Sequence, residues 1–424
     1  MSFQQGLSGL NAASKQLEVI GNNVANANTV GFKQSRAEFA DVFANSLSGG
    51  GGTQIGIGTN VSTVAQQFTQ GNVTSTNNSL DIAINGGGFF RMTNNGAVTY
   101  SRNGQFKMDK DGYIVDAANK HLSGYAADAA GTLQKGAPVD LKINTADLQP
   151  KSTAKIVGLV NLDSRKATPA ITPFSPTDPT TYNDSTAVTV FDSLGNSHTL
   201  QSFFVKTSTP NQWNVYTTAD GISTTALPTP TATLTFPATG TGLSPTSVPA
   251  SPTPVTFAPL NPPIPPATVP TIATGAAPVT LTIDYSGSTQ FGSNFSINSL
   301  SQDGYASGRL AGFNTGADGI IVGRYSNGQS RALGQVVLAS FSNPNGLQSL
   351  GGNAWSESST SGAPLVGIPN TGTLGVLQSS AVEDSNTDLT AELVNMITAQ
   401  RYYQANAQTI KTQDQVLQTL VNLR

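Results

Sequence analysis

The stretch "LVNMITAQRYYQANAQTIKTQDQVLQTLVNLR" (393–424) ends the chain on a helical repeat. Counting back from it, Val382, Leu389, Met396, Tyr403, Ile410 and Leu417 recur every seven residues. Leu393, Ala407 and Val421 mark a second seam, interrupted by Gln400 and Asp414. Such spacing predicts an amphipathic helix with a coiled-coil-like face. Acidic residues lead it (Glu383, Asp384, Asp388, Glu392) and Arg401, Lys411 and Arg424 follow, the order a helix dipole favours. Ser385 with Asp388 is a partial capping box, so the helix is expected from 386 to 424, roughly 55–60 Å long.

A shorter counterpart opens the chain. Phe3, Leu7, Leu10, Ala13, Leu17, Ile20, Val24 and Ala27 alternate in steps of three and four. This stripe ends in "NNVANANTVGFKQSR" (22–36), where four asparagines suit a helix terminus and turns. Gly31 can take a left-handed conformation there, and Phe32 can anchor the turn.

Between the helices the chain reads as β. Asn95-Gly96, Asn103-Gly104 and Asp111-Gly112 fall eight residues apart between alternating stretches, the pattern of a β-meander. Strand signals continue at 191–206 and 279–287, and short Gly-punctuated strands fill 305–376. "SGGGGTQIGIGTN" (48–60) reads as a Gly-rich joint between the first helix and the β region. Residues 221–283 hold 14 of the 24 prolines and no charged residue or histidine, so polyproline-like and edge-strand segments are expected.

Composition narrows the chemistry. Of 424 residues only 11% are charged and the net charge is −3, with no basic stripe for nucleic acid or an anionic membrane. The absence of cysteine excludes disulfides, thiolate metal sites and thiol catalysis. No apolar run reaches a membrane span, and residues 1–14 do not read as a cleavable signal peptide. His121 and His198 are isolated, "DKDG" (109–112) reads as a hairpin turn, and the glycine clusters lack a phosphate-loop lysine. Nothing calls for a catalytic centre, a metal or a cofactor. Two heptad-like ends instead ask for helical neighbours, and a non-closing contact between copies makes a helical polymer.

"NNVANANTVGFKQSRAEF" (22–39) resembles the N-terminal signature of the bacterial flagellar rod and hook family, through Asn22, Asn23, Asn26, Thr29, Gly31 and Phe32. The segment 393–424 resembles that family's C-terminal signature. "TVFDSLGNSHTL" (189–200) and 301–329 look like the hook branch, as does the length. The neutral, Pro-rich 221–283 departs from what that branch leads one to expect of its outer domain.

The resemblance implies paired terminal helices flanking all-β central domains, as nested layers. These are an axial helical layer (1–30 and 385–424), a linking region (31–72 and 371–384), an inner β domain (73–150 and 300–370) and an outer β domain (151–299). Subunit contacts would run through Leu7, Leu10, Leu17, Ile20 and Val24 of the first helix. The second helix would contribute Leu389, Leu393, Met396, Tyr403, Ile410 and Leu417. Phe39 and Phe43 of "EFADVF" resemble an export-gate segment. The implied role is a self-assembling tube that serves as a flexible joint outside the cell. Its implied partners are other copies of itself, the hook cap, distal rod and hook–filament junction proteins, and the type III export apparatus. A distal-rod-like or hook-associated protein is the alternative, with a secreted carbohydrate-active β protein a more distant one.

Overall fold

The computed structural model describes residues 2–42, 56–244, 246–249, 251–259 and 275–422. The chain divides into two compact units. One comprises 1–145, 311–324 and 330–424, the other 146–310 and 325–329.

The first unit carries both helices. Helix α1 spans Ser2–Ala25 and α2 spans Leu389–Asn422, so α2 is about 51 Å long. They run antiparallel. A Cβ on Gly6 would lie 3.1 Å from Ile410, one on Gly9 would lie 2.7 Å from Asn406, and Asn23 reaches Glu392 at the far end. Glycine at positions 6 and 9 therefore sets how closely the two backbones approach.

Helix α2 begins three residues later than expected. Its cap is Asp388, whose Oδ1 accepts from the Thr390 and Ala391 amides at 2.9 and 3.1 Å. Ser385 instead bonds the Thr387 hydroxyl and amide, so the Ser385–Asp388 box does not form. The second seam also shifts by one residue. Glu392, Ala399, Asn406 and Gln413 face inward, while Leu393, Gln400 and Asp414 are exposed and Ala407 of the expected row is half-buried. In this row Asn406 packs against Gly9 and Glu392 accepts from Asn23 of α1.

Strands β1 (Ser35–Val42) and β2 (Gly58–Gln66) pair antiparallel, with a register shift between Glu38 and Phe39. Their hairpin lies along α1, where the Thr59 amide donates to Ser8 Oγ at 3.2 Å. The Gly-rich stretch thus falls between β1 and β2 rather than between helix and β body; its residues 48–55 lie outside the described residues. Beyond this hairpin, strands from the two halves of the chain interleave. Ser330–Val336 pairs with His121–Ala126, and Ala354–Ser356 pairs with Ala97–Ser101. The core is aromatic, with Phe68, Phe89, Tyr100, Phe341 and Trp355 meeting edge-on at 4.7–5.9 Å between centroids.

Asn95-Gly96 makes the expected tight hairpin, with φ of 49° and 87°. Asp109 Oδ1 accepts from the Asp111 and Tyr113 amides at 2.9 and 2.7 Å, so its carboxylate closes a turn. Asn103-Gly104 is not a turn of the meander. The Gly104 carbonyl accepts from the Ile82 amide, and a Cβ at 104 would sit 1.7 Å from the Ile82 oxygen. The glycine there permits two chains to cross.

The second unit is built on two five-stranded sheets. One centres on Lys155–Asp163, the other on Ser197–Lys206 and Gln212–Ala219. Their shared core includes Val160, Leu200, Phe204, Trp213, Leu234 and Leu281. Ordinary strands run through the Pro/Thr-rich segment. Thr253–Phe257 pairs with Val279–Asp284 at a sheet edge and carries Pro254, where a missing amide is tolerated. Most of "PLNPPIPPATVP" (259–270) lies outside the described residues.

Candidate functional site at the root of the terminal helices

The helix pair satisfies only part of its apolar surface. Ala13 and Ile20 are buried, Leu10, Leu17 and Val24 are half-buried, and Met396 and Ile410 are half-buried opposite them. Leu7, Leu389, Leu393, Tyr403 and Leu417 stay exposed, together with Val394, Ile397 and Tyr402. Leu417 and Val421 continue the seam past the start of α1, at 54% and 75% exposure. A helix this apolar and this bare asks for a partner.

The asparagine run organises the end of α1. Asn26 Nδ2 donates to the Asn22 backbone and side-chain oxygens, and Thr29 Oγ1 donates to Asn26 Oδ1. Asn23 is buried, and its amide pairs with one residue across the turn. Oδ1 accepts from Ser35 N–H at 2.9 Å, while Nδ2 donates to Ser35 O at 2.8 Å. A side chain thus imitates a strand neighbour.

Gly31 has φ +71°, and a Cβ there would lie 2.5 Å from the Asn103 nitrogen. Its N–H donates to the Glu383 carbonyl at 2.7 Å. Phe32 is buried beside it. Phe39 lies exposed on β1, and Phe43 lies outside the described residues.

The next residue, Lys33, was not singled out by sequence. Its Nζ donates to Glu383 Oε1 at 2.6 Å and to the Thr69 carbonyl at 2.7 Å. Arg102 Nη1 donates to Glu383 Oε2 at 3.1 Å, its Nη2 donates to the Gly86 carbonyl, and its guanidinium lies over Phe89. The Gly71 amide completes the carboxylate's set at 3.0 Å. Solvent reaches neither the Lys33 nor the Glu383 side chain. Two cations thus share one anion in a dry site, and burial holds the Lys33 ammonium below the usual lysine range although Glu383 pulls it up. Burial likewise lowers Arg102, whose Nε has no hydrogen-bond partner among the described residues.

Sequence reading assigned Glu383 to the dipole-complementing acids at the start of α2. It lies instead at the end of the strand Ala381–Glu383, which pairs with Val73–Ser75. The one available signal was a lysine, Lys33, directly after Gly31 and Phe32; a partner 350 positions away leaves none.

The two histidines are held by carboxylates. His121 meets Asp140 at 2.8 Å and stacks on Tyr113. His198 meets Asp220 at 2.6 Å and Asp192 at 3.4 Å through opposite ring nitrogens, so the three do not converge on one point.

Comparison with known proteins covers nearly the same segments. Residues 3–33 match the family model described as flagella basal body rod protein, and 83–154 match the flagellar hook protein FlgE/F/G D1 domain. Residues 161–305 match the flagellar basal body protein FlaE D2 domain, and 378–423 match the flagellar basal body rod FlgEFG protein C-terminal model. The chain is 43% identical over 433 residues to the flagellar hook protein FlgE of Escherichia coli, and 44% over 430 residues to that of Salmonella typhimurium, with all of each chain covered. It is 34% identical over 446 residues to the Borreliella burgdorferi protein, across 100% of this chain and 99% of the relative. The fold is similar to that of the crystal structure of Helicobacter pylori flagellar hook protein FlgE2, with a TM-score of 0.52 at 15% identity over 73% of this chain and all of that one. Paired ends, β units between them and relatives matched along their whole length agree: the chain belongs to the flagellar hook protein FlgE family, as a subunit of the bacterial flagellar hook.

Proposed function

We propose that copies of this chain assemble through their terminal helices into a tube that bends while resisting twist, a joint that carries torque from motor to filament. The observation that carries this reading is the bare apolar strip of α2, with Leu393, Val394 and Ile397 at one end and Leu417 and Val421 at the other. Non-closing contacts between identical helices generate a helical polymer, and dense apolar packing resists torsion. The β units, with few charges, slide past their neighbours through weak polar contacts, since isolated surface ion pairs contribute little and few need breaking.

The chain acts outside the cell and catalyses no reaction. Its partners beyond itself are the distal rod protein at the base, the hook cap protein during growth, and the hook–filament junction protein at the far end. It leaves the cell unfolded through the flagellar type III export apparatus, with Phe39 and Phe43 offered to the export gate. Domain limits near 30, 72, 150, 299, 370 and 385 accompany this layered reading.

Electron microscopy of purified protein under polymerising conditions tests it, with tubes of fixed diameter expected. Ile397→Asp and Leu417→Asp are expected to abolish the tubes while the monomer keeps its helical circular dichroism. Tubes that form undiminished in both variants would place the contacts elsewhere.

A further inference from the structure

The segment 381–386 lies between two stretches from the other end of the chain. On one side, Ala381–Glu383 pairs antiparallel with Val73–Ser75, and Asp384 N–H donates to the Asn72 carbonyl at 2.8 Å. The fit is close enough that a Cβ on Gly71 would lie 2.0 Å from the Asp384 oxygen. On the other side, the Glu383 carbonyl accepts from Gly31 N–H and its carboxylate from Lys33.

Asn386 then bridges both. Its Oδ1 accepts from Gln34 N–H at 2.8 Å, while Nδ2 donates to the Gln67 carbonyl at 2.8 Å and to Thr69 Oγ1 at 2.8 Å. Gln34 adjoins Ser35, the residue that Asn23 clasps from α1. Two adjacent backbone residues are therefore held by two asparagine amides, one from the last turn of α1 and one from just before α2.

We propose that residues 381–386 are a key, around which the N-terminal connector (31–35 and 67–75) locks as one cooperative element. The rigid link between α1 and the β strands of its unit then exists only when the C-terminal end is seated. Without the key, Gly31 N–H and Gln34 N–H lose their partners together, and the Lys33 ammonium loses its counter-charge and keeps only the Thr69 carbonyl; buried donors left unpaired and buried charge left uncompensated are costly. A chain whose last residues have not arrived keeps an unfastened connector, which ties the geometry of α1 to completion of the chain. The property belongs to the monomer and stands apart from polymer assembly.

Amide hydrogen exchange on the full-length monomer tests the key. Asn386→Ala removes the bonds to Gln34, Gln67 and Thr69 and touches nothing on Ser35. Cooperative locking predicts that Ser35 N–H, held by Asn23, nevertheless exchanges roughly tenfold faster or more, along with Gly31. Phe90 and Leu122 in the sheet should keep their protection, showing that the fold is intact. Asn23→Ala, approached from α1, should release Gln34 in the same way, and it carries the test if Asn386→Ala does not fold. Thr387→Ala, whose hydroxyl among the described residues bonds Ser385 alone, should leave Ser35 unchanged. Release of Gln34 alone in Asn386→Ala, with Ser35 as protected as in the parent chain, would overturn the proposal.

Discussion

Lys33 and Glu383 stand 350 residues apart in sequence and 2.6 Å apart in space, and neither side chain is reached by solvent. The pair joins the turn after α1 to the strand before α2, and Arg102 ties both to the sheet. Removing the anion leaves two buried cations facing each other. Glu383→Gln is therefore expected to cost about 3–5 kcal/mol in the first unit. Lys33→Met should cost less, because an Arg102–Glu383 pair remains balanced. Urea titrations in a Trp213→Phe background check this. Of the two tryptophans, this leaves Trp355, whose Nε1 donates to Gln66 at the end of β2. A smaller loss for Glu383→Gln than for Lys33→Met would contradict the two-cation account.

The same site gives a pH dependence of definite sign. Burial lowers the Lys33 ammonium from its ordinary value near 10.5, so in alkali the folded chain gives up that proton before the unfolded chain does. Between the folded value and 10.5 the unfolded state binds more protons, and stability rises with pH. The Lys33→Met variant lacks this rise. The stability difference between parent and variant should thus shift in the parent's favour as pH climbs toward 10.5, and a flat difference would refute it.

In the second unit the sign reverses. Tyr285 is buried, donates to Ser202 Oγ at 3.2 Å, and burial pushes its phenol up to about 12. From pH 10 upward the unfolded chain ionises this phenol while the folded chain does not, so stability falls as pH rises. Tyr285→Phe removes that dependence, worth roughly 2–3 kcal/mol by pH 12. Alkaline unfolding followed through Trp213, in a Trp355→Phe background, should move to higher pH in the variant.

How much of this was legible in the sequence follows from where each interaction lies. The helices announced themselves because period and length are local properties, and Asn95-Gly96 did so because a two-residue turn is written in two residues. The motif 22–39 was visible as a pattern, but its physical content was not. Asn23 reads as one more turn residue until Ser35 is found opposite it, and Glu383 reads as a helix-dipole acid until Lys33 and Arg102 are found around it. Asn103-Gly104 misled for the same reason, since a glycine needed for a chain crossing looks like one needed for a turn. The one-residue slip in the second seam of α2 has a physical source too. Leucine spacing points to one row, whereas Gly9 on α1 leaves room for Asn406 in the row beside it, where Ala399 is buried.

Two glycines ten positions apart should respond oppositely to alanine. Gly31 is left-handed, and its Cβ would strike the Asn103 backbone, so Gly31→Ala is expected to destabilise by well over the ~1 kcal/mol of the backbone term alone. Gly21 lies within α1, and apart from its own helix no described residue comes within 4 Å of its would-be Cβ. Gly21→Ala should stabilise the monomer by about 0.5–1 kcal/mol. Thermal unfolding separates the two. If Gly21→Ala raises the monomer's melting temperature and yet blocks tube formation, that glycine faces a neighbouring copy at close range.

The second unit can be cut out at a single backbone pair. Lys151 and Tyr305 exchange backbone bonds at 3.0 Å in both directions, an antiparallel pair near the ends of that unit. Such a pair is the closing position of a two-residue hairpin, so 152–304 can be replaced by Asn-Gly without straining the flanking backbone. The excision removes nearly all of the second unit's core and leaves the helices, the hairpin on α1 and the Lys33–Glu383–Arg102 site untouched. Because the apolar strip of α2 is unchanged, the shortened chain is expected to polymerise into tubes of similar inner diameter. Their curvature should differ if the second unit makes the sliding contacts proposed above. Electron microscopy reads both quantities. Failure of the shortened chain to polymerise, despite a folded first unit, would mean that assembly depends on the β units rather than on the helices.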